Sequence, residues 1–213
     1  GVKASLFTEA TQGEPFTILP EKRNEGFLSA SQVQYVCRAG NFISKGLSYT
    51  GALRVLKVLM SYEYLWIQVR VKGGAYGVMS GFGKTGDSYF VSYRDPNLKG
   101  TVEVYEKAAD FVEAFDGDER TMTQYIIGAV SEMDTPLNPA AKGLRSMSAW
   151  LTNQTLADLQ KERAEVLSAT QEDIRALAAH IRAFMKDDCL CVVGNEEKLR
   201  EEEDMFLHLE NLY

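Results

Sequence analysis

Tyr76-Gly-Val-Met-Ser-Gly-Phe-Gly83, Lys84-Thr-Gly-Asp87 and Ser88-Tyr-Phe-Val-Ser-Tyr93 follow one another without a break, and their order decides the fold. The first and third pieces are short and bounded by turn residues, which predicts strands. The middle four residues have the Gly/Asp chemistry of a hairpin connection. Neighbouring strands joined this way are antiparallel, so a doubly wound parallel sheet is disfavoured. Arg94-Asp-Pro96 ends the second strand.

The rest of the chain reads outward from that hairpin. Upstream, Leu53, Leu56, Leu59, Met60 and Glu63 are spaced as one helical stripe, predicting a helix from Tyr49 to about Trp66. Gly26 to Cys37 reads as a strand in which Val33, Tyr35 and Cys37 share a face. Downstream, Val104, Ala108, Phe111, Val112 and Phe115 predict one helix, and Met122, Ile126, Ala129, Val130 and Met133 a second after Asp116-Gly-Asp118. Thr135-Pro-Leu-Asn-Pro139 is a loop, and a helical pattern resumes from Leu156 to Leu167. Thr170-Gln-Glu-Asp173 has capping-box character before Ile174, Leu177, Ala178 and Ile181. Cys189 to Val193, closed by Gly194, reads as a buried strand, and Glu196 to Phe206 as an acidic helix. This order predicts an α+β fold, a two-layer sandwich whose largely antiparallel sheet carries helices on one face.

No internal repeat or long linker divides the 213 residues. Residues 26–209 read as one domain, preceded by a polar lead-in over 1–25 with a short extended piece at Phe16 to Leu19. Glu210-Asn-Leu-Tyr213 matches the opening of an engineered protease-cleavage tag, and Gly1 stands where an initiator Met would. The chain is therefore read as part of a longer polypeptide. A net charge of −7 without clustered Lys/Arg argues against a nucleic-acid partner. The run Glu201-Glu202-Glu203-Asp204 reads as a solvated helix face. Three cysteines make no disulfide framework, and no apolar run approaches the roughly 18 residues of a membrane span. These features suggest a cytoplasmic protein, or an organelle matrix in a eukaryote.

Three chemistries fail, two on spacing and one on burial. Gly81-Phe-Gly-Lys-Thr-Gly86 lacks a phosphate loop's first glycine, since Val78 holds that position, and it lies between two strands. His180 and His208, the only histidines, sit in no zinc-binding spacing, so no metal site is expected in this chain. Cys37, Cys189 and Cys191 lie in apolar runs where burial would raise their thiol pKa.

Arg70-Val-Lys-Gly-Gly-Ala-Tyr-Gly77 differs. It places an Arg and a Tyr six residues apart around two glycines that can turn both side chains toward one cavity. Taken alone it also reads as a helix C-terminus, with Arg70 set against the dipole and the glycines as a cap.

Together with Gln32-Val-Gln-Tyr-Val36, Ala39-Gly40, Ser92-Tyr-Arg-Asp-Pro-Asn97, Ile126-Ile-Gly128, Asp134-Thr-Pro136, Ala141-Lys-Gly143 and Val192-Val-Gly194, this segment resembles the C-terminal domain of presequence-protease-like zinc metallopeptidases of the pitrilysin/insulinase family. The resemblance spans most of residues 26 to 195. It implies one repeat domain of a clamshell that encloses peptides, with zinc held by an H-x-x-E-H motif in the N-terminal half of the same polypeptide and by nothing in this chain. It further implies that Arg70 and Tyr76 are the catalytic contribution, reaching substrate near the metal. Gly73, Gly74 and Ala75 would let backbone lie against an extended peptide substrate. The alternative within the same superfamily is a non-catalytic peptide-binding or assembly subunit.

Overall fold

The computed structural model describes residues 23–212; Phe16 to Leu19 and most of the lead-in lie outside them. Six strands form one sheet: β1 (Glu25–Ser29), β2 (Gln34–Asn41), β3 (Gly77–Phe82), β4 (Asp87–Asp95), β5 (Cys189–Asn195) and β6 (His208–Asn211). Their spatial order is β3-β4-β2-β5-β1-β6. The first three pairings are antiparallel, including the expected β3–β4 hairpin, while β1 runs parallel to both β5 and β6. Glu210 and Asn211, at the start of the tag-like stretch, fall in β6 opposite Phe27 and Leu28.

Alternation assigns the faces. Leu28, Val36, Phe90, Leu190 and Val192 are buried beneath helices, whereas Tyr35, Met79 and Tyr89 on the other face are exposed. Tyr35 and Cys37 do share a face, but it is this open one; Val36, between them, enters the core. The predicted strand over Gly26 to Cys37 is two strands. Between them Ser31 folds back on Val33, accepting from its N–H and donating to its carbonyl.

The central helix α1 (Ala52–Leu59) buries Ala52, Leu53, Val55, Leu56, Val58 and Leu59, so it is apolar nearly all round. It packs on β3 to one side and on three outer helices to the other: α4 (Glu119–Met133), α6 (Leu156–Leu167) and α7 (Gln171–Ala176). The helix predicted over Val104 to Phe115 is broken at Lys107 into α2 (Lys99–Glu106) and α3 (Ala108–Glu113). One helix went unpredicted. It is α5 (Pro139–Leu151), capped by Asn138, whose side chain accepts from the Ala141 N–H; none of its residues is buried, and Leu144, Met147 and Trp150 stand exposed. α8 (Ala178–Met185) and α9 (Glu196–Glu201) complete the layer, and the Thr170–Asp173 capping box forms as expected.

Glu162 ties hairpin, core helix and outer helix together. Its carboxylate, 5% exposed, accepts from Lys84 Nζ at 2.6 Å and from Arg54 Nε and the Tyr49 hydroxyl at 2.7 Å each. Burial alone would push the carboxyl up, but the bonds from Lys84, Tyr49 and Arg54 outweigh it and hold Glu162 below the ordinary carboxylate range. A carboxylate held low when folded contributes stability above its unfolded pKa and loses it as pH falls through the folded value. Glu162→Gln should therefore cost about 2 kcal/mol near neutral pH, less than a fully buried broken pair because Lys84 and Arg54 are part-exposed. Urea unfolding should show that difference vanishing in acid, below the carboxylate range.

Candidate functional site

The helix that begins as α1 continues past Trp66, the expected end. It runs through two π-helical stretches, Met60–Tyr64 and Trp66–Lys72, where N–H groups reach back five residues, as from Gly73 to Gln68 at 3.1 Å. Widened turns of this kind are rare and gather at functional sites. The second carries Arg70, whose guanidinium carbon lies 3.9 Å from the Trp66 ring centroid. That stacking braces a long, otherwise mobile side chain.

Gly73 and Gly74 then turn the chain into β3. Gly74 is left-handed, at φ 82°. A Cβ on Gly73 would lie 2.5 Å from the Val69 carbonyl oxygen. The turn is closed by bonds from the Gly74 N–H to Arg70 (2.9 Å) and the Ala75 N–H to Val69 (3.1 Å). It is also held from below, because Asn97 Nδ2 donates to the Gly73 carbonyl. Asn97 is itself positioned by Asp95, whose carboxylate accepts from the Asn97 N–H at 2.9 Å and the Thr101 hydroxyl at 2.7 Å. The Asp95-Pro-Asn97 corner is thus a clamp on the glycine turn.

The clamp delivers Tyr76 to the surface just before β3, 59% exposed. Its N–H donates to the Arg94 carbonyl at 3.2 Å, its ring meets Tyr93 edge-on at 5.5 Å, and Arg70 lies 5.8 Å from its centroid. The two polar residues singled out from sequence therefore share one patch. Gly74 is exposed and Gly73 half-exposed beside it, while Ala75 points its methyl into the core. β3 is the last strand of the sheet at this end. Trp66 and Arg94 also belong to the patch and were not read from sequence. The spacing of Trp66 and Arg70, four apart on a helix, was the available signal for the first; nothing local marks the second.

A cavity of about 880 Å³ lies elsewhere, between α1, α5, α6 and the hairpin turn. Its carboxylates are engaged internally, Glu162 as above and Asp134 in a two-pronged pair with Arg163. Among the described residues no group of three or more His, Cys, Asp or Glu is gathered as a metal site. His180 is a packing residue, edge-on to Phe42 at 5.0 Å with Nε2 3.0 Å from the Ser48 carbonyl. The donor set does not fit zinc. Burial, and then the neighbouring Cys191, push the Cys37 thiol up, which makes it a poor nucleophile. No helix among the described residues is long and apolar enough to cross a membrane.

The family model described as the PreP C-terminal domain matches residues 24–194. The chain is 46% identical over 191 residues to Protein HypA of Clostridium perfringens, covering 90% of this chain and 20% of that protein. It is 38% identical over 178 residues to presequence protease 1, chloroplastic/mitochondrial, of Arabidopsis thaliana, covering 83% and 16%. The chain thus spans about a fifth or less of these relatives. In fold it resembles a peptidase M16 inactive domain from Pseudomonas fluorescens, with TM-score 0.61 and 17% identity over 83% of this chain and 44% of that one. It also resembles pitrilysin, with TM-score 0.55 and 13% identity over 81% and 19%.

The glycine turn makes a demand independent of any relative. Gly74→Ala meets only Pro96 at an ordinary 3.4 Å, so its cost is the left-handed backbone, about 1–2 kcal/mol. Thermal unfolding of that variant should show a destabilisation of this size with an unchanged far-UV spectrum.

Proposed function

The chain belongs to the PreP C-terminal domain family, and from that premise we propose that it is the substrate-clamping domain of a zinc metallopeptidase, with Arg70 and Tyr76 as its catalytic residues. The observation that carries the reading is the patch itself: a cation braced on Trp66 beside an exposed phenol, where the continuation of α1 meets the start of the edge strand β3. Half a site is what such a surface suits. Hydrolysis of a peptide bond builds negative charge on the carbonyl oxygen, and fixed donors aimed at it lower the barrier. Tyr76 supplies an O–H and Arg70 a permanent cation. Zinc belongs, on this reading, to the N-terminal half of the same polypeptide, and this chain by itself cleaves no peptide.

The substrate class is an extended peptide, taken along the β3 edge with Gly73, Gly74 and the Ala75 backbone lying close to it. The names of several relatives, presequence proteases of mitochondria or chloroplasts, support peptides as substrates. The higher identity to a bacterial protein favours a cytoplasmic setting. A degenerate H-x-x-E-H motif upstream would instead make the protein a peptide-holding or assembly subunit.

Tyr76→Phe in the zinc-bearing polypeptide should lower turnover of a quenched fluorescent peptide roughly a hundredfold, the loss typical of one oxyanion donor. Zinc content by atomic absorption should stay at the wild-type value. Near wild-type turnover would remove Tyr76 from the chemistry.

A further inference from the structure

The pairing of β2 with β4 slips where the patch is built. Gln34 faces Asp95 and Val36 faces Ser92, so three steps along β4 match two along β2. This is a β-bulge, and Tyr93 and Arg94 are the doubled residues opposite Tyr35. Its effect shows in burial: Ser92 and Asp95 are both buried, and Tyr93 and Arg94 between them both face out. Without the bulge one of the two would point into the core.

Arg94 holds this position in a left-handed backbone conformation, φ 49°, which costs a non-glycine residue about 1–2 kcal/mol. A glycine would relieve that strain, yet the position carries the bulkiest cation. Its guanidinium carbon lies 5.7 Å from the Tyr76 ring centroid, matching Arg70 at 5.8 Å. Arg38, Arg54, Arg163, Arg175, Arg182 and Arg200 each hold a carboxylate; among the described residues Arg70, Arg94, Arg120 and Arg145 hold none, and of these four Arg70 and Arg94 stand over the Tyr76 ring. The adjacent Asp95 is turned inward and engaged by Asn97 and Thr101. In a chain of net charge −7, two uncompensated guanidiniums beside one phenol form a local anion-attracting surface.

From this we infer that Arg94 is a specificity-determining residue: it anchors a carboxylate of the bound peptide next to the carbonyl held by Arg70 and Tyr76. The inference rests on the reading of those two residues as substrate-facing. A carboxylate suits the guanidinium fork, which can donate two parallel N–H bonds to it. The carboxylate can come from the C-terminus of a peptide or from an Asp or Glu side chain within it. Arg94 makes no bond to the reacting atoms and is a binding residue.

The test uses this chain alone and reads binding, not turnover, so its failure is distinguishable from a failure of the Tyr76→Phe result. The ¹⁵N-labelled chain is titrated with acetyl-Ala-Ala-Ala as free acid, the same peptide as C-terminal amide, and acetyl-Ala-Glu-Ala amide, following the arginine Nε–H resonances. The Arg94 resonance should shift with at least one carboxylate-bearing peptide and stay put with the amide. Which acid is effective distinguishes terminal from side-chain carboxylate. Arg94→Gln, which keeps the same backbone demand, should weaken binding roughly fivefold, the worth of one exposed ion pair, while Arg94→Lys retains most of it. Equal responses to acid and amide would overturn the proposal, as would unchanged binding in Arg94→Gln with an otherwise native amide spectrum.

Discussion

α1 is the element on which the other layers depend. Six of its eight residues are buried, and a helix apolar on nearly every side cannot lie at a surface. The sheet covers one side of it and α4, α6 and α7 cover the other. That enclosure explains why the sheet is single-faced: the helices crowd around α1 on one side and leave the opposite side of β3, β4 and β2 bare. It also explains Glu162, whose three donors come from α1, the segment before it and the hairpin turn. Ionic groups at that depth are tolerable only when every lone pair is engaged.

The same helix links the core to the site. Its α-helical half is buried nearly all round, and its π-helical half keeps Met60, Tyr64, Leu65 and Val69 in the core while presenting Trp66 and Arg70 at the surface side. Arg70 is thus positioned by a rod rooted in the hydrophobic interior. Tyr76 is positioned differently, by the Asp95-Pro-Asn97 corner that grips the glycine turn and by the Arg94 carbonyl. Two independent supports converging on one patch give it rigidity without a surrounding pocket. The patch is accordingly a surface, and its chemistry depends on what faces it.

Much of this was legible in the sequence. The hairpin, the stripe of α1 and the capping box at Thr170 rest on local rules: turn chemistry, helical period, side chain-to-backbone bonding; Arg70 and Tyr76 were singled out through the family resemblance. Local rules failed where a neighbour decided. Tyr35 and Val36 alternate correctly, but only the helices packed on one side say which of them is core. α5 does carry an apolar period, Leu144, Met147 and Leu151, behind an Asn138-Pro139 start, but Pro136 and Pro139 extend the loop reading over it. The parallel placement of β1 between β5 and β6 joins segments more than 150 residues apart and leaves no mark at either end.

The sequence by itself determined an α+β domain whose glycine turn separates an arginine from a tyrosine, because backbone freedom and hydrophobic period are properties of contiguous residues. Only the tertiary structure decided that the two meet in one surface patch with Arg94 beside them. A bulge exists only as a mismatch between two strands, and Arg94 faces outward because β4 spends one more residue than β2 in crossing the same distance.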